Sequence, residues 1–243
     1  MEKRKISKRT VAYISVTVAL AVVVAVLSVL LYFAKKPTEV ADYYNRKCEA
    51  FELENANFAH GQTVFIGDSL TDGCALDVFY PELSTAAYNR GIGGDTTGGV
   101  LKRLKLSLFD IKPSRIIMMI GINDINCMVP NSKILDNYGK ILGEIKAALP
   151  EAEVYCVSVM PVNRDLESYT VVNAEITNSK VLELNPEIEK LTVSCGYRFI
   201  DLHADFCDAD GFLKKELSPD GIHLNHDGYT VYSKIIKEAL ADQ

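Results

Sequence analysis

Histidine is scarce in this sequence, with four in 243 residues, and the six cysteines never fall into a CxxC pair or another zinc-ligand spacing. A zinc-built domain therefore lacks its ligands. Proline and glycine are modest at 8 and 15, which removes collagen-like and low-complexity classes. No Gly-Lys-Ser/Thr closes any glycine-rich stretch, so there is no Walker loop. The dinucleotide fingerprint is also missing after the first strand candidate. Residues 60–243 contain no internal repeat and no linker.

A basic excess is missing too, because the chain carries a formal charge of −6. The first 34 residues hold five Lys/Arg and one Glu, so the remainder has 21 Lys/Arg against 31 Asp/Glu and a formal charge of −10. Such a surface repels polyanions, and nucleic acid is excluded as a partner.

What the chain does have is an apolar fraction of 48%, enough at this length for a core that needs no metal or disulfide staple. The distribution is uneven. Thr10 to Ala34 is a run of 25 residues without Asp, Glu, Lys, Arg or His. As a helix it reaches about 37 Å, longer than a hydrocarbon core of about 30 Å. Lys3, Arg4, Lys5, Lys8 and Arg9 precede it against a single Glu2, which by the positive-inside rule keeps the N-terminus cytoplasmic and exports the chain beyond Ala34. A cleaved signal peptide would have a shorter apolar core and small residues at the cut, whereas Leu31, Tyr32 and Phe33 lead into Ala34. The expected organisation is a cytoplasmic basic tail (1–9), a single-pass transmembrane anchor in the cell membrane (10–34), a juxtamembrane stalk helix (35–59) and an extracytoplasmic domain (60–243). In the stalk, Val40, Tyr44, Cys48 and Phe51 form one stripe that packs on the domain.

Beyond the stalk, short apolar runs alternate with helical patterns. Strand candidates are Thr63–Ile66, Ala86–Tyr88, Arg115–Ile120, Val154–Val159 and Arg198–Leu202. Helical periodicity covers Thr97–Leu108, Ser132–Leu149, Ser168–Ser194 and Asn225–Leu240. Near-continuous apolar strands joined by helices require a parallel sheet covered on both faces. The expected fold is α/β, a three-layer, flavodoxin-like doubly wound sheet of about five strands, with functional residues on loops beyond the carboxyl ends of the strands. Cys156 belongs to the core of such a sheet. Cys74 and Cys127 follow loops on adjacent strands at the same sheet edge and could lie near each other, with two free thiols the expectation.

Those loops hold the unusual residues. After the first strand comes Gly67-Asp68-Ser69-Leu70-Thr71-Asp72-Gly73. It places a serine on a sharp turn with its hydroxyl exposed and its N–H free, although the same sequence also fits a simple N-cap. After the second comes Asn89-Arg90-Gly91-Ile92-Gly93-Gly94-Asp95-Thr96-Thr97, in which backbone N–H groups can approach a ligand and Thr96 or Thr97 caps the next helix. Gly121-Ile122-Asn123-Asp124 follows the third strand and offers a carboxamide donor. Near the C-terminus, Asp220 and His223 stand three apart, so a carboxylate can fix the imidazole tautomer. A metal pair or a solvated loop would have the same spacing. His226 reads as a surface residue in the first turn of the last helix.

Together these four blocks resemble the GDSL, or SGNH, hydrolase family over roughly residues 60–240. Gly67-Asp68-Ser69-Leu70 corresponds to its first block, Gly94 to the glycine of the second, Gly121-Ile122-Asn123-Asp124 to the third and Asp220-Gly221-Ile222-His223 to the last. Gly91-Ile92-Gly93-Gly94-Asp95-Thr96-Thr97 is similar to the acetylhydrolase branch. The resemblance implies a serine carboxylic-ester hydrolase with Ser69 as nucleophile, His223 as base and Asp220 as its orienting partner. It also implies an oxyanion hole of the Ser69 and Gly94 N–H groups and the Asn123 side chain, with no metal or organic cofactor. The expected substrates are short-chain, acetyl-type O-esters of carbohydrate, cell-wall or small lipid molecules. The alternative is a non-catalytic ectodomain that binds glycans or lipid headgroups.

Overall fold

Five short strands, five or fewer residues each and all but the second rich in branched and aromatic residues, form one parallel sheet in the order β2-β1-β3-β4-β5. They are β1 (Thr63–Gly67), β2 (Ala87–Gly91), β3 (Arg115–Met119), β4 (Glu153–Val157) and β5 (Arg198–Ile200). This is a computed structural model, and it describes residues 17, 20, 22–24, 27, 39–83, 87–163 and 174–241. By contacts the chain divides into Met1–Asp42 and a compact unit Tyr43–Gln243.

The strand order is the doubly wound one expected, with all strands parallel and β2 added on one side of β1, β3 to β5 on the other. Gly67 pairs with Gly91 on one side and Met119 on the other, so the loops after β1, β2 and β3 leave the sheet at one level. Side chains alternate across it, as a two-residue period demands. Val64, Ile66, Ile116, Met118, Val154 and Cys156 enter one buried cluster, while Phe65, Ile117, Met119, Tyr155 and Val157 enter the other.

The first face is covered by α4 (Thr97–Lys102), α6 (Asn131–Ala148) and α7 (Ala174–Ser194). The α6 helix buries Ile134, Tyr138, Ile141, Leu142 and Ile145, a stripe at the three-to-four spacing that sets its orientation. Full burial of each aliphatic side chain contributes about 1.5–3 kcal/mol. Pro150 ends the helix just beyond Leu149. The second face is covered by α9 (His226–Ala241), which buries Tyr229, Tyr232 and Ile236. Within the compact unit, α1 (Glu39–Asn55) buries Phe51. Short helices α2 (Ser69–Asp72), α3 (Leu76–Phe79), α5 (Ile122–Asn126) and α8 (His203–Phe206) lie in the connections.

Several expectations change in detail. The second strand continues through Arg90 to Gly91, because Arg90 is fully buried and stacks 4.3 Å from the Phe51 ring and 4.8 Å from that of Phe58. The third and fifth strands stop at Met119 and Ile200, and the fourth runs from Glu153 to Val157. The helix expected over Thr97–Leu108 is broken. It ends at Lys102, and a wider turn follows in which Asp110 N–H reaches Lys105 O at 2.9 Å. The break falls where Arg103 turns inward. The helix expected from Ser168 is described from Ala174, residues 164–173 lying outside the described part, as does Ala86.

The predicted membrane span 10–34 lies mostly outside the described residues. Of its residues, 17, 20, 22–24 and 27 are described and helical. Among the described residues no helix is long and apolar enough to cross a membrane.

Candidate active site

Ser69 begins α2 directly after β1, and its own N–H has no acceptor within so short a helix. Asp68 precedes it as N-cap, accepting from Leu70 N–H at 3.0 Å. The Asp68 carboxyl is buried, and burial raises its pKa to about 7 against the lowering effect of the Leu70 bond. The turn is fastened from two directions. Asn89 Nδ2 donates to the Thr71 and Cys74 carbonyls at 2.7 and 3.0 Å, and Tyr229 donates its hydroxyl to Leu70 O at 2.9 Å.

The opposite side comes from the loop before α9. His223 Nδ1 lies 2.6 Å from Asp220 Oδ2, and its Nε2 lies 3.0 Å from Ser69 Oγ. With Nδ1–H donated to the carboxylate, Nε2 is left to accept from the serine hydroxyl. Asp220 Oδ1 accepts from the N–H groups of Ile222 at 3.0 Å and His223 at 2.8 Å. Burial pushes the Asp220 carboxyl up, but the His223 side chain and these two N–H groups outweigh it and hold it below the usual carboxylate range. The loop needs a left-handed residue at Gly221 (φ 88°), where a Cβ would stand 2.3 Å from Asn163 O. Asn163 N–H donates to Gly221 O at 2.8 Å, so the loop after β4 carries the histidine loop.

The glycine loop completes the third side. Gly94 adopts φ 77°, and Asn123 Nδ2 donates to Asp95 O at 2.9 Å. Thr96, rather than Thr97, caps α4 by accepting from Gly99 N–H at 3.2 Å. Thr97 instead donates its N–H and hydroxyl to Asp124 at 2.8 and 2.6 Å, which ties the second block to the third. Beneath them the buried Arg103 donates to Asp95 Oδ2 at 2.8 Å, Arg90 O at 2.8 Å and Gly67 O at 3.0 Å. It joins the ends of β1 and β2.

The structure thus gathers Ser69, Gly94, Asn123, Asp220 and His223 at one sheet edge. His226 stands apart, exposed, with its ring 5.3 Å from that of Phe79. All six cysteines are free. Cys74 and Cys156 are buried and Cys127 is exposed. The sequence reading missed Arg103, whose position in a helical pattern reads as a surface cation. It also missed Asp72, which accepts from Tyr43, Lys47 and Gly93.

A serine, an imidazole and a carboxylate in line on the carboxyl edge of a doubly wound sheet define a hydrolase of the acyl-transferring class. The profile of the GDSL-like Lipase/Acylhydrolase family matches residues 65–231, and the chain belongs to that family. It is 27% identical over 180 residues to the platelet-activating factor acetylhydrolase IB subunit alpha2 of Rattus norvegicus, covering 73% of this chain and 75% of the relative. Among solved structures it is similar to a Streptococcus pneumonia protein described as a candidate platelet activating factor. That likeness has a TM-score of 0.75 and 28% identity, covering 90% of this chain and 99% of the other. A GDSL-like lipase from Bacteroides thetaiotaomicron shares the fold at a TM-score of 0.70 and 22% identity, over 82% of this chain and 98% of that one.

Proposed function

We propose that this acylhydrolase is a serine esterase for short, acetyl-type O-esters. The observation that carries the reading is the line Asp220–His223–Ser69, with separations of 2.6 and 3.0 Å. Ser69 Oγ attacks the ester carbonyl while His223 Nε2 takes its proton. The imidazolium is stabilised by Asp220 and then protonates the leaving alkoxide. Water repeats the sequence on the acyl-enzyme and releases the acid. The tetrahedral oxyanion is received by the N–H groups of Ser69 and Gly94 and by Asn123 Nδ2, donors fixed before the charge develops. Relatives named acetylhydrolases support the preference for a small acyl group.

We also propose that the enzyme is held at the cell membrane with this domain outside. The support is the uncharged run Thr10–Ala34 behind five basic residues, and the exposure of Leu20, Val22, Val23, Val24 and Leu27. Acetylated glycans, wall polymers and small lipids are the substrates such a tether would place within reach.

A series of p-nitrophenyl esters from acetyl to long-chain acyl tests the first reading. We expect kcat/KM to fall as the chain lengthens and Ser69→Ala to be inactive. A long-chain optimum, or an active Ser69→Ala, contradicts it. Carbonate washing of membranes tests the second, since the native protein should stay in the pellet. Its release into the wash would remove the anchor.

A further inference from the structure

The α1 residues Tyr43 and Lys47 reach the active site through one carboxylate. Asp72 lies three residues after Ser69. Its Oδ2 accepts from the Tyr43 hydroxyl at 2.6 Å and from Gly93 N–H at 2.9 Å, and its Oδ1 accepts from Lys47 Nζ at 2.8 Å. Gly93 directly precedes the left-handed Gly94. On the other side of that glycine, Asp95 N–H donates to Ile92 O at 3.1 Å. The Gly94 N–H is therefore flanked by two fixed groups, one of which is fixed by Asp72. The Tyr43 ring lies beside them, because a Cβ built at Gly93 would be 3.4 Å from Tyr43 Cε1 and 4.0 Å from Ser69 Cβ.

A purely stabilising role explains this poorly. Lys47 and Asp72 form a part-buried ion pair, their side chains 26% and 15% exposed, a contact the two could make without the catalytic loop. A structural ion pair does not need a backbone N–H of a catalytic loop as its third ligand. The Tyr43 phenol, its pKa pushed up to about 12 by the Asp72 bond first and by burial second, stays a donor wherever the esterase would work.

We propose that Tyr43 and Lys47 are positioning residues: acting through Asp72, they hold the Gly93–Gly94 turn so that the Gly94 N–H faces the developing oxyanion, which makes α1 part of the catalytic unit. The proposal rests on the reading of Ser69, His223 and Asp220 as the catalytic line. Asp72 spans the two motif loops, so slackening it shifts an oxyanion donor without touching the substrate.

The test uses the full-length chain with Tyr43→Phe, Lys47→Met, Lys47→Arg and the Tyr43→Phe/Lys47→Met double variant, alongside Ser69→Ala. Hydrolysis of p-nitrophenyl acetate is measured as separate kcat and KM values per Ser69 titratable by a fluorophosphonate. A misplaced donor should lower kcat about tenfold in each single variant and about a hundredfold in the double, with KM changed less than about twofold. Lys47→Arg should keep most of the activity, since it restores the charge and a donor. A double variant with wild-type kcat, or one altered only in KM, overturns the proposal. So does a loss that merely follows the loss of titratable Ser69. If Ser69→Ala is inactive while the double variant is unimpaired, only the positioning role falls. An active Ser69→Ala removes the catalytic reading and this proposal together.

Discussion

Asn123 Nδ2 donates one of its hydrogens to Asp95 O at 2.9 Å, so the loops after β2 and β3 are joined before any substrate arrives. A carboxamide nitrogen carries two hydrogens, and the bond to Asp95 leaves the second for a ligand. Replacing Asn123 by Ala should therefore act on the transition state. If Asn123 receives the oxyanion as proposed, we expect kcat to fall about 10²- to 10³-fold with a much smaller change in KM. Steady-state kinetics on a soluble ester separate the two. A change confined to KM would make Asn123 a substrate-binding residue.

Asp220→Asn tests the imidazole's orientation. The amide oxygen can still accept from the Ile222 and His223 N–H groups, so the loop should keep its shape. Its NH₂ can satisfy the opposite tautomer of His223, and the expected loss in kcat is about 10³- to 10⁴-fold. His226→Ala should leave kcat near wild type, since that ring is exposed and contacts Phe79. Equal losses in the two variants would mean that the wrong histidine has been assigned.

Asp68 predicts a pH effect on stability. Burial, the largest cause, raises its folded-state pKa to about 7 from an ordinary 3.8. Between those values the folded state holds a proton that the unfolded state has released. Stability therefore declines as pH rises through this window and levels off above it. Asp68→Asn removes the ionisation while its side-chain oxygen can still accept from Leu70 N–H. Its melting temperature should exceed that of the wild type at pH 8, and the difference should shrink towards pH 4. A difference that stays constant across the window would show that Asp68 does not titrate there.

Thiol reactivity should sort the cysteines by burial. Cys127 is exposed, whereas Cys74 and Cys156 are buried and burial raises each to about 12. Iodoacetamide at pH 8 should label Cys127 in the folded protein and reach Cys74 and Cys156 only after denaturation. Peptide mapping that finds Cys127 protected until a reductant is added would reveal a disulfide.

The parts legible in the sequence were those written locally. Four of the five strands announce themselves as apolar runs, the second only through Ala87 and Tyr88, and each catalytic candidate sits in a short block whose neighbours explain it, as Asp220 explains His223. What was not legible depends on contacts between distant segments. Arg103 follows a helical pattern, yet its guanidinium is buried because three acceptors from β1, β2 and the glycine loop converge there, and the helix breaks at that point. Arg90 looks like a loop cation until the aromatic rings of Phe51 and Phe58 enclose it. Tyr43 and Lys47 lie 29 and 25 residues before their partner. No local periodicity could have linked them to Asp72.

The close approach at Gly91 has a consequence for how such a site can vary. A Cβ there would stand 2.1 Å from Asp72 N, and one at Gly67 would stand 2.1 Å from Met119 O. At Gly91 main chain lies directly on main chain at the floor of the site, the turn that carries Ser69 resting against β2 with no side chain between them at that point, while Asn89 fastens the same turn alongside. The depth of the floor is set by peptide thickness, which mutation cannot trim or pad in small steps. Side-chain substitution can remodel the walls, so changes in acyl preference should accumulate on the outer faces of the loops while the floor accepts glycine alone.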